Sequence, residues 1–460
     1  MDLLDLAPEA TKRALAQGAD HAEAFAIHYA TRHVYIEDDV PKVAEDRQET
    51  GVGLRVARGK RVAFASTTLS GAADVGRVAR AAVAGLKQVP EDPAFAGFAH
   101  GAAAGTVAGV YDAATAAADV ASFLESAKTF VDAAKERKGV SVPKATFRLQ
   151  EYAIRVANSN DVDTTHRGTL VYAYLTTKAG SGASVGEGIV HGVRPSFGQV
   201  DFAELGRVCA RRAIENREAR AFPGKRTGTA VIDPQELGAL FLQSVGAAVC
   251  GQNVHRKRSP WTGKVGQEVG AASVTVRDRP RMPGGMLSCA ADDEGATTKD
   301  RTVVDAGRLA GFLADTYHAP LVHADPGNAF RRSGSTLEGA YLRPAENAVS
   351  NLVFEPGTKS LGDLLGGVDR GVCVEKFAAP ELNPITGAFA CEVRNATLID
   401  RGELGAHVKF ALLTGNFYEG LKKVEGIGRD LEPIPVFYGS PGCAYVPPVA
   451  FGGFELVGQA

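Results

Sequence analysis

The 460 residues contain none of the common spacings that carry chemistry. No HExxH occurs, and the histidine pairs His28/His33 and His318/His323 stand five apart with no Cys or further His at ligand spacing, so neither pair reads as a metal site. No GxSxG nucleophile elbow is present, and Ser335 sits in the Gly-rich run Gly334-Ser335-Thr336 without one. The cysteines Cys209, Cys250, Cys289, Cys373, Cys391 and Cys443 form no CxxC pair and no regular framework. Such scattering excludes a disulfide scaffold and suits reduced thiols in a cytoplasm. Residues 1–18 carry acids early and reach no sustained apolar run, so neither a signal peptide nor a membrane span is expected there. They read as an ordinary first helix, opened by Pro8 and closed by Gly18. A formal net charge of −2 without a concentrated Lys/Arg run argues against direct nucleic-acid binding. The one basic cluster, His255-Arg256-Lys257-Arg258, is short enough to be a solvated loop.

What is present is a globular composition, 45% hydrophobic and 23% charged, in a chain too long for one ordinary domain. Two domains are expected, 1–220 and 225–460. In the first, strands are expected over 23–38, 51–56 and 61–66, the last two joined by a turn at 57–60. Helices are expected over 74–88 and 119–138, the second with Phe123, Ala127, Phe130 and Ala134 on one face. Strands return at 147–156, 168–177 and 187–193, and a helix over 201–215 leads to a charged boundary at 216–224. Gly180, Gly182 and Gly186 lack GxGxxG spacing and a P-loop Lys, so they read as a turn. The first half is thus an α+β, two-layer domain. The second opens with a strand at 227–232 and then offers short β-like runs at 272–276, 309–315, 372–376, 392–400, 407–413, 436–438 and 454–457. These runs predict a β-rich, barrel-like domain with little helix.

Between them lies the stretch 233–251, DPQELGALFLQSVGAAVCG. Asp233 is a good N-cap, Pro234 fits the first helical position, Glu236 has capping-box spacing, and Gly251 is a natural stop. Leu237, Leu240, Phe241, Val245 and Val249 form an apolar stripe, so a continuous buried helix is expected. From Leu237 to Asn253 it carries no His, Glu, Asp or Lys.

Two further features bear on chemistry. Asp292-Asp293-Glu294-Gly295 could bind a metal, act as acid and base, or cap a turn. Turn capping is favoured, because consecutive side chains on an extended chain splay apart. A thiol nucleophile at Cys443, after Gly439-Ser440-Pro441-Gly442, competes with the reading of a buried Cys, which the lack of a neighbouring His favours.

These residues carry a resemblance. The acidic run together with Gly307-Arg308-Leu309-Ala310-Gly311-Phe312-Leu313-Ala314-Asp315 is similar to the signature segment of the TldD/PmbA family, the paired TldD and TldE peptidase subunits. Asn383-Pro384-Ile385-Thr386-Gly387, Leu398-Ile399-Asp400-Arg401-Gly402 and Leu412-Leu413-Thr414-Gly415-Asn416-Phe417 agree in order and spacing. So does the early hairpin, Gly51-Val52-Gly53-Leu54-Arg55-Val56 with Gly59 and Phe64-Ala65-Ser66-Thr67.

The resemblance implies an α+β first domain and a β-rich second one. In the TldD-like branch an HExxxH segment on the second domain's first helix supplies two zinc-binding His and a catalytic Glu, with a Cys near the C-terminus as a further ligand. That segment falls on Gln243, Ser244 and Ala248 of this chain. An amide binds zinc weakly, an unactivated hydroxyl is a poor base, and a methyl does neither, so no catalytic residue and no metal are expected here. Cys443 stands in a different context and does not inherit the ligand role. The chain resembles the TldE/PmbA branch, the partner without the metal. The resemblance therefore implies a non-catalytic subunit of a cytoplasmic zinc peptidase, completing the groove for unfolded or short peptides beside a TldD-like subunit that holds the zinc. Asn383, Thr386 and Asn416 are the candidate peptide contacts, each also a turn former. Two like chains could use the same pairing surface when the partner is absent. The alternatives are a regulatory protein-binding module, in keeping with the family's label of gyrase modulator, and a self-sufficient hydrolase using Cys443 or 292–294.

Overall fold

The computed structural model describes residues 3–101, 105–182, 184–331, 337–435 and 442–458. The expected strand at 436–438, Ser335 and the residues 439–441 before Cys443 lie outside them.

The first half is one antiparallel sheet with helices on one face. Its strands β1 (His21–Glu37), β2 (Val40–Arg58), β3 (Arg61–Thr68), β4 (Val140–Asn158), β5 (Asp163–Ser181) and β6 (Ser184–Arg194) run in the order β3-β2-β1-β4-β5-β6. Period-two alternation sorts the side chains. Ala22, Ala24 and Ala26 of β1 meet Val52, Leu54 and Val56 of β2 under α1 (Leu6–Ala16) and α2 (Ala72–Gly85). Farther along the same face, Phe147, Leu149 and Val171 pack on two longer helices, reached after the short α3 (Ala113–Ala117). These are α4 (Val120–Lys135), capped by Asp119, and α5 (Phe202–Glu218), capped by Asp201.

The strands run longer than their apolar patterns, because β1, β2, β4 and β5 extend through the polar residues near their tips. The turn glycines behave as expected: Gly180 and Gly182 have φ of +85° and +59°. Gly186 serves otherwise, since a Cβ there would meet Ala213 O at 2.1 Å, so it admits α5 onto the sheet edge.

The opposite face of the sheet is covered by the second half of the chain. Phe25, Ile27, Tyr29, Tyr152 and Ile154 pack against Leu337, Ala340 and Tyr341. The glycines of the early hairpin make this approach possible: a Cβ on Gly51 would lie 2.3 Å from the Tyr341 ring, and one on Gly53 would lie 2.6 Å from Tyr341 O.

The second half is a closed five-stranded barrel with a smaller sheet beside it. Strand Lys225–Ile232 pairs with Val449–Gly458, which pairs with Ala411–Asn416, then Ala388–Asp400, then Arg370–Phe377, and the last returns in parallel to Lys225–Ile232. The smaller sheet holds six short strands, among them Val276–Asp278, Asn351–Phe354 and Cys443–Val446. The expected strands shift accordingly. Pairing begins only at Val276 in the first of them, and within 309–315 only Leu309 lies in a named strand. The run 407–413 splits at Phe410, whose φ of +54° ends one strand and turns into the next.

The end of α5 and the segment after it are held to the barrel rather than forming a loose linker. Asn216 donates Nδ2 to Arg394 O at 2.5 Å, and Arg220–Ala221 pairs with Val408 and Lys409. Arg212 reaches Asp233 at 3.2 Å and Glu375 at 3.1 Å, tying α5 to the barrel.

Candidate functional site

The stretch 233–251 departs from the expected single helix in three ways. It is α-helical only over α6 (Pro234–Phe241), then widens into a π turn at Leu242–Gly246 before α7 (Ala247–Val249). Glu236 forms no capping box, because its carboxylate accepts from Lys376 Nζ at 2.6 Å and Phe377 N at 2.9 Å, both on a barrel strand. Asp233 alone caps, accepting from Gln235 N at 2.9 Å. Nor is Gly251 the stop. Cys250 leaves the helix with ψ of 124° because Leu313 bridges the chain there, donating to Val249 O at 2.9 Å and accepting from Gly251 N at 2.7 Å. Gly251 then opens α8 (Gly251–His255), and the basic residues 256–258 come next in an exposed turn.

The π turn carries Gln243 and Ser244, and α7 carries Ala248. Ser244 is fully buried and its hydroxyl donates to Leu240 O at 2.6 Å. Gln243 donates Nε2 to Ala239 O at 3.1 Å and Pro380 O at 2.7 Å, and its Oε1 accepts from Leu382 N at 3.4 Å. Ala248 presents a buried methyl. The segment 380–384 thus lies on the helix, and Tyr418 fastens its far end, with the hydroxyl donating to Pro384 O at 2.6 Å and lying 3.1 Å from Ser244 O.

Around Pro384 the chain makes the turn that holds Asn383 and Thr386. Asn383 Oδ1 accepts from Ile385 N and Thr386 N at 3.0 Å, and Asn416 donates Nδ2 to Thr386 O at 2.7 Å while its Oδ1 accepts from Glu419 N at 3.2 Å. The structure brings these three residues together, engaged in one turn whose apex is a half-exposed Ile385. They stand at the outer end of the segment that covers Gln243 and Ser244.

The acidic run is internal. Asp292 accepts from Glu294 N, Ala296 N and Ala329 N, and Asp293 from Arg331 N at 2.7 Å. Glu294 forms a 2.7 Å ion pair with Arg55 of β2, which also binds Glu23 at 2.7 Å. Burial first, and then the Glu294 charge, push Asp292 well above the usual carboxylate range. Burial opposes the charge on Glu294 most strongly, but the Arg55 guanidinium and the hydrogen bonds from Thr316 together outweigh it and hold that carboxyl low. This is turn capping plus a charge cluster between the two halves, which sequence spacing could not show because its cations lie far away in the chain.

Cys443 is also internal. Its Sγ donates to Ile434 O at 3.3 Å, and burial pushes the thiol far above its ordinary value. Ile434 in turn occupies the space over Gly238 of α6. His28 Nδ1 pairs with Thr50 Oγ1 at 2.8 Å, and His318 Nδ1 with Asp315 Oδ1 at 2.7 Å. Among the described residues no group of three or more His, Cys, Asp and Glu is disposed to hold a metal, and the donors on the π turn do not suit zinc.

Three family models match consecutive parts of the chain: PmbA/TldA metallopeptidase domain 1 over residues 22–86, the central domain over 112–217, and the C-terminal domain over 225–458. A metalloprotease of Methanothermobacter thermautotrophicus is 28% identical over 279 residues, which are 59% of this chain and 59% of that relative. The solved structure of TldE from Thermococcus kodakarensis superposes with a TM-score of 0.86 at 21% identity, covering 99% of both chains. A putative modulator of a DNA gyrase from Thermotoga maritima gives 0.83 at 20% identity, covering 98% of both. At such identities the two structures establish the shared fold.

Proposed function

We propose, from the premise that this chain belongs to the PmbA/TldA metallopeptidase family, that it acts as the TldE-like, non-catalytic subunit of a zinc metallopeptidase. The partner is a TldD-like chain that supplies the metal, and the substrate is an unfolded or short peptide. The observation that carries this reading is the π turn. At the positions of HExxxH in the TldD-like branch, Gln243, Ser244 and Ala248 offer one amide already bonded on both ends, one hydroxyl bonded to Leu240 O, and one methyl. None of these groups is a donor or base that zinc hydrolysis requires. The role left to the chain is to shape the groove, with the turn around Asn383, Thr386 and Asn416 presenting Ile385 to an extended peptide.

A hydrolase working through Cys443 would need a thiolate that burial opposes, and the carboxylates 292–294 are engaged with backbone amides and Arg55. The test is to assay peptide cleavage by this chain, by a TldD-like chain from the same source, and by their mixture. Cleavage that requires the mixture supports the reading. Cleavage by this chain alone, or zinc in it at one per chain, overturns it.

A further inference from the structure

A cavity of about 300 Å³ opens between the two halves of the chain, one turn upstream of the π segment and lined by Gln235, Glu236 and Ala239 of α6. Its walls are largely apolar, with Val190, Leu205 and Val208 on one side and Pro433 and Ile434 on the other. Walls of that kind favour an aliphatic or aromatic body. One rim is β6, the edge strand of the first sheet. Its outward carbonyls are already engaged: Arg212 Nη1 donates to Ile189 O at 3.0 Å, and Gln235 Nε2 to His191 O at 2.7 Å. A ligand therefore enters end-on rather than by adding a strand.

A polar part of the wall is formed by Lys376, which is 6% exposed and lines the cavity. An ammonium carries three donors. Lys376 Nζ makes one hydrogen bond, to Glu236 Oε1 at 2.6 Å, and has no second acceptor among the described residues. A buried donor without a partner is costly, so the position favours a ligand that brings an oxygen acceptor. Arg212, 3% exposed, lines the same cavity. Of the carboxylates that line it besides Glu236, Glu432 is paired with Arg194 at 2.7 Å, Glu204 with Arg207 at 3.0 Å, and Asp201 and Glu204 lie on the exposed rim. Burial, reinforced by Lys376 and Arg212, holds His191 well below its usual range, so its ring adds no positive charge of its own.

We propose that this cavity binds an apolar chain ending in a carboxylate, with the carboxylate on Lys376 and the chain against Val190, Leu205 and Ile434. The C-terminal residue of a short peptide and a free branched carboxylic acid share that chemistry. The site is built by this chain alone and needs no partner subunit, so it stands or falls separately from the function proposed above.

Isothermal titration of the isolated full chain with acetyl-Ala-Leu, its carboxamide and 4-methylpentanoate tests it. The free-acid peptide is expected to bind, and the amide about tenfold more weakly, as loss of a charge-assisted hydrogen bond implies. Tighter binding of the peptide than of 4-methylpentanoate assigns the site to peptide C-termini, and the reverse assigns it to small acids. Leu205→Trp, which fills the cavity from a partly exposed position, is expected to abolish binding with an unchanged melting temperature. The double variant Glu236→Gln/Lys376→Met leaves no buried carboxylate uncompensated and is expected to erase the acid-over-amide preference. Equal affinity of acid and amide where the peptides bind, undiminished binding by Leu205→Trp, or no binding of the free-acid peptide and of 4-methylpentanoate alike overturns the proposal. Absence of cleavage in the two-subunit mixture would overturn the subunit role and leave these titrations unaffected.

Discussion

Arg55 of β2 and Glu294 of the acidic turn meet at 2.7 Å with side chains 14% and 2% exposed, and this ion pair fastens the sheet to the second half of the chain. Glu23, fully buried, shares the guanidinium, and Arg331 approaches the same carboxylate at 3.3 Å. Removing one partner from such a cluster leaves charge stranded in a dry interior, a loss of about 3–5 kcal/mol. Arg55→Met is therefore expected to lower the unfolding free energy by that order. Arg13→Met, from a pair whose side chains are 38% and 41% exposed, is expected to change it by less than about 1 kcal/mol. Denaturant titration of both variants measures the difference, and equal effects would show that the buried cluster is not a fastening.

All six cysteines are buried and reduced. Burial raises the thiols of Cys209, Cys250 and Cys373 to about 12, and that of Cys443 further. A thiol reagent at pH 8 is thus expected to label almost none in the native protein and all six after unfolding. Rapid native labelling at Cys443, read by peptide mapping, would contradict its placement behind Ile434.

How far the sequence could be read depends on the range of the forces involved. Alternation located β1 because Phe25, Ile27 and Tyr29 face one side and Ala22, Ala24 and Ala26 the other. The helices expected from 119 and 201 begin there because their caps, Asp119 and Asp201, are local contacts. The break at Cys250 was not legible, since Leu313 causes it from more than sixty residues away. Glu236 has capping-box spacing, yet Lys376 claims it from a barrel strand. Within the candidate site, the missing His and Glu were visible in the residues themselves. The π turn and the covering segment 380–384 were not, because both depend on tertiary partners of Gln243 and Ser244.

Asp278 gives the fold a pH dependence of definite sign. It is fully buried, accepts from Asn328 Nδ2 at 2.7 Å and Ser350 N at 2.7 Å, and burial raises its pKa to about 6 from an ordinary value of 3.8. The folded state therefore binds this proton more tightly than the unfolded state. Its stabilising contribution is present in full below about pH 4 and is lost as pH rises to about 6. Relative to the non-titrating Asp278→Asn, the native chain is expected to lose roughly 3 kcal/mol across that window. Unfolding free energies of both proteins at pH 4, 5, 6 and 7 measure it; a native advantage that stays constant would remove the dependence, and one that grows with pH would reverse its sign.

Placing the HExxxH side chains of the TldD-like branch on this chain is the sharpest test of the π turn. Gln243→His/Ser244→Glu/Ala248→His restores the HExxxH spacing, but position 244 is fully buried and its carboxylate would meet Leu240 O rather than a cation. A buried, unpaired carboxylate costs several kcal/mol. Cys443 is not placed to serve as a third ligand either, since its Sγ is turned to Ile434 O and Ile434 covers Gly238. The triple variant is expected to melt lower than the native chain and to hold zinc below stoichiometry by elemental analysis. Ser244→Ala, which removes only the bond to Leu240 O, is expected to stay within about 1 kcal/mol of the native chain. Stoichiometric zinc with an unchanged melting temperature would mean that the fold keeps a third ligand in reach, and that the two branches of the family differ in little more than three side chains of one helix.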